Sequence, residues 1–194
     1  MAAAAEAESR PREEYLLPKH KGPWTLDDVL ALPEGSQTGQ RVELVDGGLF
    51  VSPMGASPHQ VLAGDIFAQL RSSTPPDMKA TIELNVALST GRLLIPDFTV
   101  VRRSGLGGVT VDADAVVLVG EVISPSSRVQ DRVLKSRLYC DAEIPFYLIV
   151  DPSGAVPSAT LFELIEDEYK EIARGKNGRI EIERPFRVTL ELTD

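Results

Sequence analysis

Two acidic residues stand where acids are unwelcome. Asp97 follows Leu93-Leu94-Ile95-Pro96 and precedes Phe98-Thr99-Val100-Val101, and Glu121 closes a nearly continuous apolar run that begins at Ala115. A carboxylate buried in such a setting costs on the order of several kcal/mol unless it is paired or bound to a cation. One cation is available at readable spacing. Asp131, Lys135 and Tyr139 recur every four residues and so project from one face of a helix. With a single cysteine, Cys140, and two histidines, His20 and His59, a closed Cys/His zinc site is excluded, so any bound metal must be held by oxygen. Plainer alternatives stand beside each residue. Asp97 would then be a solvated strand-edge carboxylate, Glu121 the partner of an arginine, and Lys135 half of a helix pair with Asp131 worth about 0.3–0.5 kcal/mol. Glu43 could be the polar face of a hairpin strand, and His59 a satisfied core or near-site histidine.

These residues need elements to hold them. Thr25 and Asp28 open a short helix that stops at Pro33. Strand-like runs at residues 41–45 and 49–51 flank Asp46-Gly47-Gly48, the signature of a tight hairpin. Leu62, Ile66 and Leu70 predict an amphipathic helix over residues 57–73, with Ser57 as cap and Pro58 in its first turn. Alternation of Ile82, Leu84, Val86 and Leu88 predicts a half-buried strand. Residues 93–101 read as a further strand, placed at a sheet edge or bent by Pro96. The apolar run 115–123 reads as a strand covered on both faces. A helix capped by Ser126 or Ser127 follows, running to about Ala142, and Pro145 stops it. Residues 146–150 form another apolar strand, and 159–192 a meander. The class is mixed α/β (α+β): a disordered arm over residues 1–22, then one domain over 23–194.

Pro96-Asp97, then Glu121-Val122-Ile123, then a lysine follows the order of the PD-(D/E)XK nuclease motif. The usual lysine position, two after the glutamate, is here Ile123, and Lys135 on the following helix can reach the same site. The wider run from Glu121 through Asp131, Lys135 and Tyr139, followed by Ile144-Pro145 and Asp151-Pro152, resembles the bacterial restriction-endonuclease family of the Uma-two type. Val42-Glu43-Leu44-Val45-Asp46-Gly47, and Ser52-Pro53 through His59, are similar to that family's opening hairpin and helix. The resemblance covers residues 24 to about 161. It implies a restriction-endonuclease-like core with a mixed sheet flanked by helices. In it Glu43, Asp97 and Glu121 hold a divalent metal and Lys135 serves as the catalytic lysine. His59, Asp131 and Tyr139 stand beside them as secondary candidates. The donor types agree. Asp97 and Glu121, with the Val122 carbonyl as a third oxygen, suit magnesium or manganese, which acidifies water and stabilises charge on a phosphate.

Composition bounds the partners. The 194 residues carry 20 Lys and Arg against 29 Asp and Glu, a formal charge of −9, so no broad basic surface exists and any contact with nucleic acid is local. Arg128 and Arg132 on the Lys135 helix, and Arg102-Arg103 after the Asp97 strand, are the candidates to meet a phosphate backbone. DNA is the expected substrate and RNA the alternative. Residues 160–194 carry nine acids and six bases, a poor nucleic-acid platform and a candidate for self-association as a homodimer or larger homo-oligomer. No apolar run approaches the roughly 20 residues of a membrane span, and no signal peptide is legible, so a cytoplasmic protein is expected. The rival reading is a non-catalytic nucleic-acid-binding or assembly protein that retains the nuclease core, which the acidic charge favours.

Overall fold

The structure, a computed structural model, describes residues 17–32, 40–53, 55–89, 91–123 and 130–193. Among the described residues it is a mixed α+β architecture of two sheets, a separate hairpin and three α-helices. Helix α1 (Leu26–Leu30) starts as expected. Thr25 accepts a hydrogen bond from the Asp28 amide, while the Asp28 carboxylate accepts one from the Thr25 amide. Before it, His20 stacks on Trp24 with ring centroids 4.1 Å apart.

Strands β1 (Gln40–Val45) and β2 (Gly48–Pro53) form the hairpin. Asp46 (φ 50°) and Gly47 (φ 87°) are both left-handed, as the two-residue turn matching strand twist requires. Helix α2 (Ser57–Ser73) follows, and its N-cap is Ala56 rather than Ser57. The extended backbone ends one residue earlier than expected, so Ser57 opens the helix itself and no side chain caps it.

Two stretches that read as single strands are broken. The alternating run divides into β3 (Met78–Ile82) and β4 (Val86–Ser89), with Glu83 between them at φ 46°. Residues 93–101 divide into β5 (Arg92–Leu94) and β6 (Phe98–Arg102), which belong to different sheets. Neither lies at an edge. Pro96 sits in the crossing segment, where a residue without an amide proton forfeits no ladder bond.

After β7 (Val111–Asp112) comes β8 (Val116–Val122), buried at every position. Then follow a π-helical stretch, Gln130–Lys135, and α3 (Ser136–Asp141). Ser126 and Ser127, the expected caps, lie outside the described residues. Strands β9 (Phe146–Asp151), β10 (Ser158–Ile165) and β11 (Glu168–Arg174) run as an antiparallel meander, whereas β12 (Arg179–Ile182) and β13 (Val188–Glu191) break from the meander expected over 159–192 and pair with each other as a separate hairpin.

One sheet has the order β2-β1-β5-β4-β7, the other β11-β10-β9-β8-β6-β3, and β12 pairs with β13 alone. Helix α2 and the β12–β13 hairpin cover one face of the larger sheet through Ile66, Leu70, Phe98, Leu118, Leu148 and Leu190. Its other face meets the smaller sheet and α3 through Val86, Leu94, Val119, Leu138, Tyr139 and Tyr147. The acids lie where the β6 and β8 ends, the crossing segment and α3 meet. Among the described residues no helix is long and apolar enough to cross a membrane.

Candidate active site

Strand register brings the two conspicuous acids together. Phe98 pairs with Gly120 across β6 and β8, and the next step of that register sets Asp97 opposite Glu121. Gly120 is required here, because a Cβ would lie 1.8 Å from the Phe98 ring. Both carboxylates are buried, Asp97 at 3% and Glu121 at 2% exposure, as are Glu43 at 2% and Lys135 at 4%. Four charged groups at that depth demand partners.

The partners fall into two groups. In the first, Glu121 Oε1 accepts hydrogen bonds from Lys135 Nζ at 2.9 Å and Tyr139 Oη at 2.7 Å. Lys135 Nζ also lies 3.1 Å from Glu43 Oε1, so one ammonium bridges two carboxylates. Lys135 and Tyr139, four residues apart, reach the same oxygen from one helix face. Glu43 Oε1 further accepts the Ile95 amide at 2.9 Å, which ties β1 to the crossing segment that carries Asp97. Burial, then the charges of Glu121 and Glu43, push the Tyr139 hydroxyl well above its usual range, so it remains a proton donor.

In the second group, Asp97 Oδ1 accepts Arg41 Nη2 at 2.5 Å. Asp97 Oδ2 accepts the Val122 amide at 2.7 Å and lies 3.2 Å from His59 Nε2. His59 Nε2 is also 2.9 Å from the Val122 carbonyl oxygen. Burial alone would raise the Asp97 carboxyl. The bond from His59 and the charges of Arg41 and His59 outweigh it and hold the group below its ordinary value. His59 is raised in return, chiefly by its bond to Asp97 against the cost of burial. Burial likewise opposes the Arg41 cation, yet Asp97 first and Glu121 and Glu83 after it hold the proton more firmly than usual, so Arg41 responds to both groups. Its Nη2 also reaches Glu83 Oε1 at 3.1 Å.

Glu43, Asp97, Glu121 and Lys135 thus meet in one region, with His59 and Tyr139 beside them. Arg41 and Glu83 join them unforeseen. The spacing of Arg41 and Glu43, two apart on a strand and so on one face, could have revealed the first. Nothing local signals the second. Arg102 and Arg103 lie at the opposite end of β6 from Asp97, where Arg102 Nη1 donates to the Asp114 carbonyl and Arg103 Nε to the Pro76 carbonyl. Arg128 lies outside the described residues, as do the side chains of Asp131 and Arg132.

Among the described residues no three Asp, Glu, His or Cys side chains converge as a ready metal cluster. The donor chemistry still fits a hard cation. Asp97 Oδ2 and the Val122 carbonyl face one point, held by the imidazole N–H, and Glu121 stands across the register. Among the described residues, four carboxylates, Glu43, Glu83, Asp97 and Glu121, meet three cationic side chains, Arg41, His59 and Lys135.

The core is a two-sheet α+β fold that gathers buried acids around Lys135 at adjoining strand ends. The comparisons give the family. The profile of Uma2, described as "Putative restriction endonuclease", matches residues 26–193, and the chain belongs to that family. Among solved structures the chain is similar to one from Anabaena variabilis described as "a putative nuclease belonging to DUF820". That match has 19% identity and a TM-score of 0.58, and covers 77% of this chain and 84% of the other. At that identity the likeness establishes the fold alone. No curated protein matches the chain.

Proposed function

We propose that this nuclease-family protein is a metal-dependent endonuclease that hydrolyses phosphodiester bonds in DNA. One observation carries the reading: the Lys135 ammonium is fixed between Glu121 and Glu43 at 2.9 and 3.1 Å, beside the strand ends where Asp97 and the Val122 carbonyl meet. Asp97, Glu121 and the Val122 carbonyl are the ligands for magnesium or manganese. Bound there, the dication supplies acidification of an attacking water and neutralisation of charge on the scissile phosphate.

The chain's own residues do the rest. Lys135 donates hydrogen bonds to the water or to a phosphate oxygen, and Glu43 holds that ammonium in place. Tyr139 fixes the Glu121 carboxylate by donating to Oε1. Arg41 holds Asp97 through Nη2, while its buried Nε has no hydrogen-bond acceptor among the described residues.

Cleavage of supercoiled plasmid tests the reading. The protein should nick DNA in magnesium or manganese buffer, stop on chelation, and lose activity in Glu121→Gln and Lys135→Met. Undiminished nicking by either variant refutes the assignment. Cation binding without any cleavage favours the assembly-protein reading.

A further inference from the structure

His59 reaches from the first turn of α2 to the end of β8 and the crossing segment. Its Nε2 stands 2.9 Å from the Val122 carbonyl oxygen and 3.2 Å from Asp97 Oδ2, two of the oxygens assigned above to the cation. A lone pair aimed at two oxygen acceptors would be repulsive, so Nε2 carries its proton in this arrangement. An N–H donor and a dication compete for the same oxygen lone pairs. Histidines that ligate metals almost always anchor the other ring nitrogen on a carboxylate, a carbonyl or water. His59 Nδ1 has no such anchor: it is buried without a hydrogen-bond partner among the described residues and lies against Gly55, where a Cβ would come within 2.5 Å of it. Among the described residues, nothing on that side ties the ring down.

The geometry points to His59 as a placeholder for the cation. Its N–H fills the notch between Asp97 and the Val122 carbonyl in the metal-free protein, and the ring turns aside when a divalent ion enters. This rests on the cation reading above and adds a residue that opposes binding instead of supplying a ligand. Because the competing donor is lost, the affinity of the site for the ion is set partly by how readily the imidazole leaves.

The test is titration of the full chain with manganese alone, for the unaltered protein, His59→Ala and His59→Gln. The two variants have the same charge but differ in whether an amide donor can still fill the notch. A placeholder predicts that His59→Ala binds manganese roughly tenfold more tightly than the unaltered protein, the scale of one lost competing hydrogen bond, with His59→Gln between them. Weaker binding by His59→Ala would make His59 a ligand and overturn the proposal. Equal gains in both variants would reduce the effect to charge and overturn it as well. No manganese binding by any of the three proteins overturns the cation reading itself, and this proposal with it. A measurement on the unaltered protein guards against misfolded variants. Only two histidines are present, so magnesium should move the nitrogen-15 ring signals of His59 and leave those of His20, stacked on Trp24, in place. His59 signals unmoved at a magnesium concentration shown by calorimetry to saturate the site overturn the placeholder role.

Discussion

The Glu121 group and the Asp97 group solve one problem, buried carboxylates, in opposite ways. Around Glu121 the described partners include a lysine at 4% exposure and a fully buried tyrosine, both projected from the helix that follows β8. Around Asp97 they are Arg41 and His59, with side chains 18% and 15% exposed, drawn from a strand end and a helix start. Water reaches the second set and hardly touches the first. The comparison teaches that the Glu121–Lys135–Glu43 bridge is scaffold and, on the function proposed above, catalytic apparatus as well. On the same proposal, the Asp97 notch is the part that exchanges its counter-charge for a ligand.

The contrast can be broken first at Lys135. Lys135→Met leaves two buried glutamates without their shared cation and should destabilise the protein by about 3–5 kcal/mol in denaturant unfolding. Adding Glu43→Gln and Glu121→Gln to that variant should restore much of the loss without restoring cleavage. A Lys135→Met protein as stable as the parent would mean the bridge is not buried as described. Next in size is Tyr139→Phe, which removes a donor to an ionised oxygen that keeps its lysine, and should cost about 1.5–3 kcal/mol in the same assay.

The Asp97 group should speak through pH instead. Its carboxyl is held below the ordinary 3.8 and the His59 imidazole above the ordinary 6.5. The lowered carboxyl stabilises the fold above the usual carboxylate range and loses that effect as pH falls through its folded value. The raised imidazole stabilises fully below its ordinary value and loses the effect as pH rises through its folded one. The pair is therefore strongest between about pH 4 and 6.5. With chelator present, the melting temperature should fall as pH rises from that window, and His59→Ala should lack this alkaline component. An unchanged alkaline slope in the variant would contradict the pairing. Smallest of all, Arg137→Ala breaks an exposed helix pair with Asp141 and should shift stability by no more than about 0.5 kcal/mol.

The sequence revealed these two regions unequally. Glu121 and Asp97 were legible because acids inside apolar runs have few cheap explanations. Lys135 and Tyr139 were legible because four-residue spacing needs only a helix, although the π-helical winding of residues 130–135 leaves no trace in composition. Glu43 rested on family resemblance, since a glutamate in a hairpin strand is ordinary in itself. The residues around Asp97 were harder. Glu83 takes its place through a left-handed backbone that interrupts an otherwise regular alternation, and tertiary contacts rather than local preference hold it there. Pro96 was read as a kink or edge marker, whereas it marks the passage from one sheet to the other, a distinction set by long-range pairing. The first hairpin, α1 and the C-terminal strands were visible because turn chemistry and two-residue alternation are local signals, whereas the parting of β12 and β13 from the meander was not.

Manganese titration of the unaltered protein beside Asp97→Asn tests the central claim most directly. Saturable binding that the substitution abolishes, with the Lys135–Glu121 bridge still intact by crystallography, is the predicted result. Binding of equal strength in the two proteins, or none in either, would contradict it.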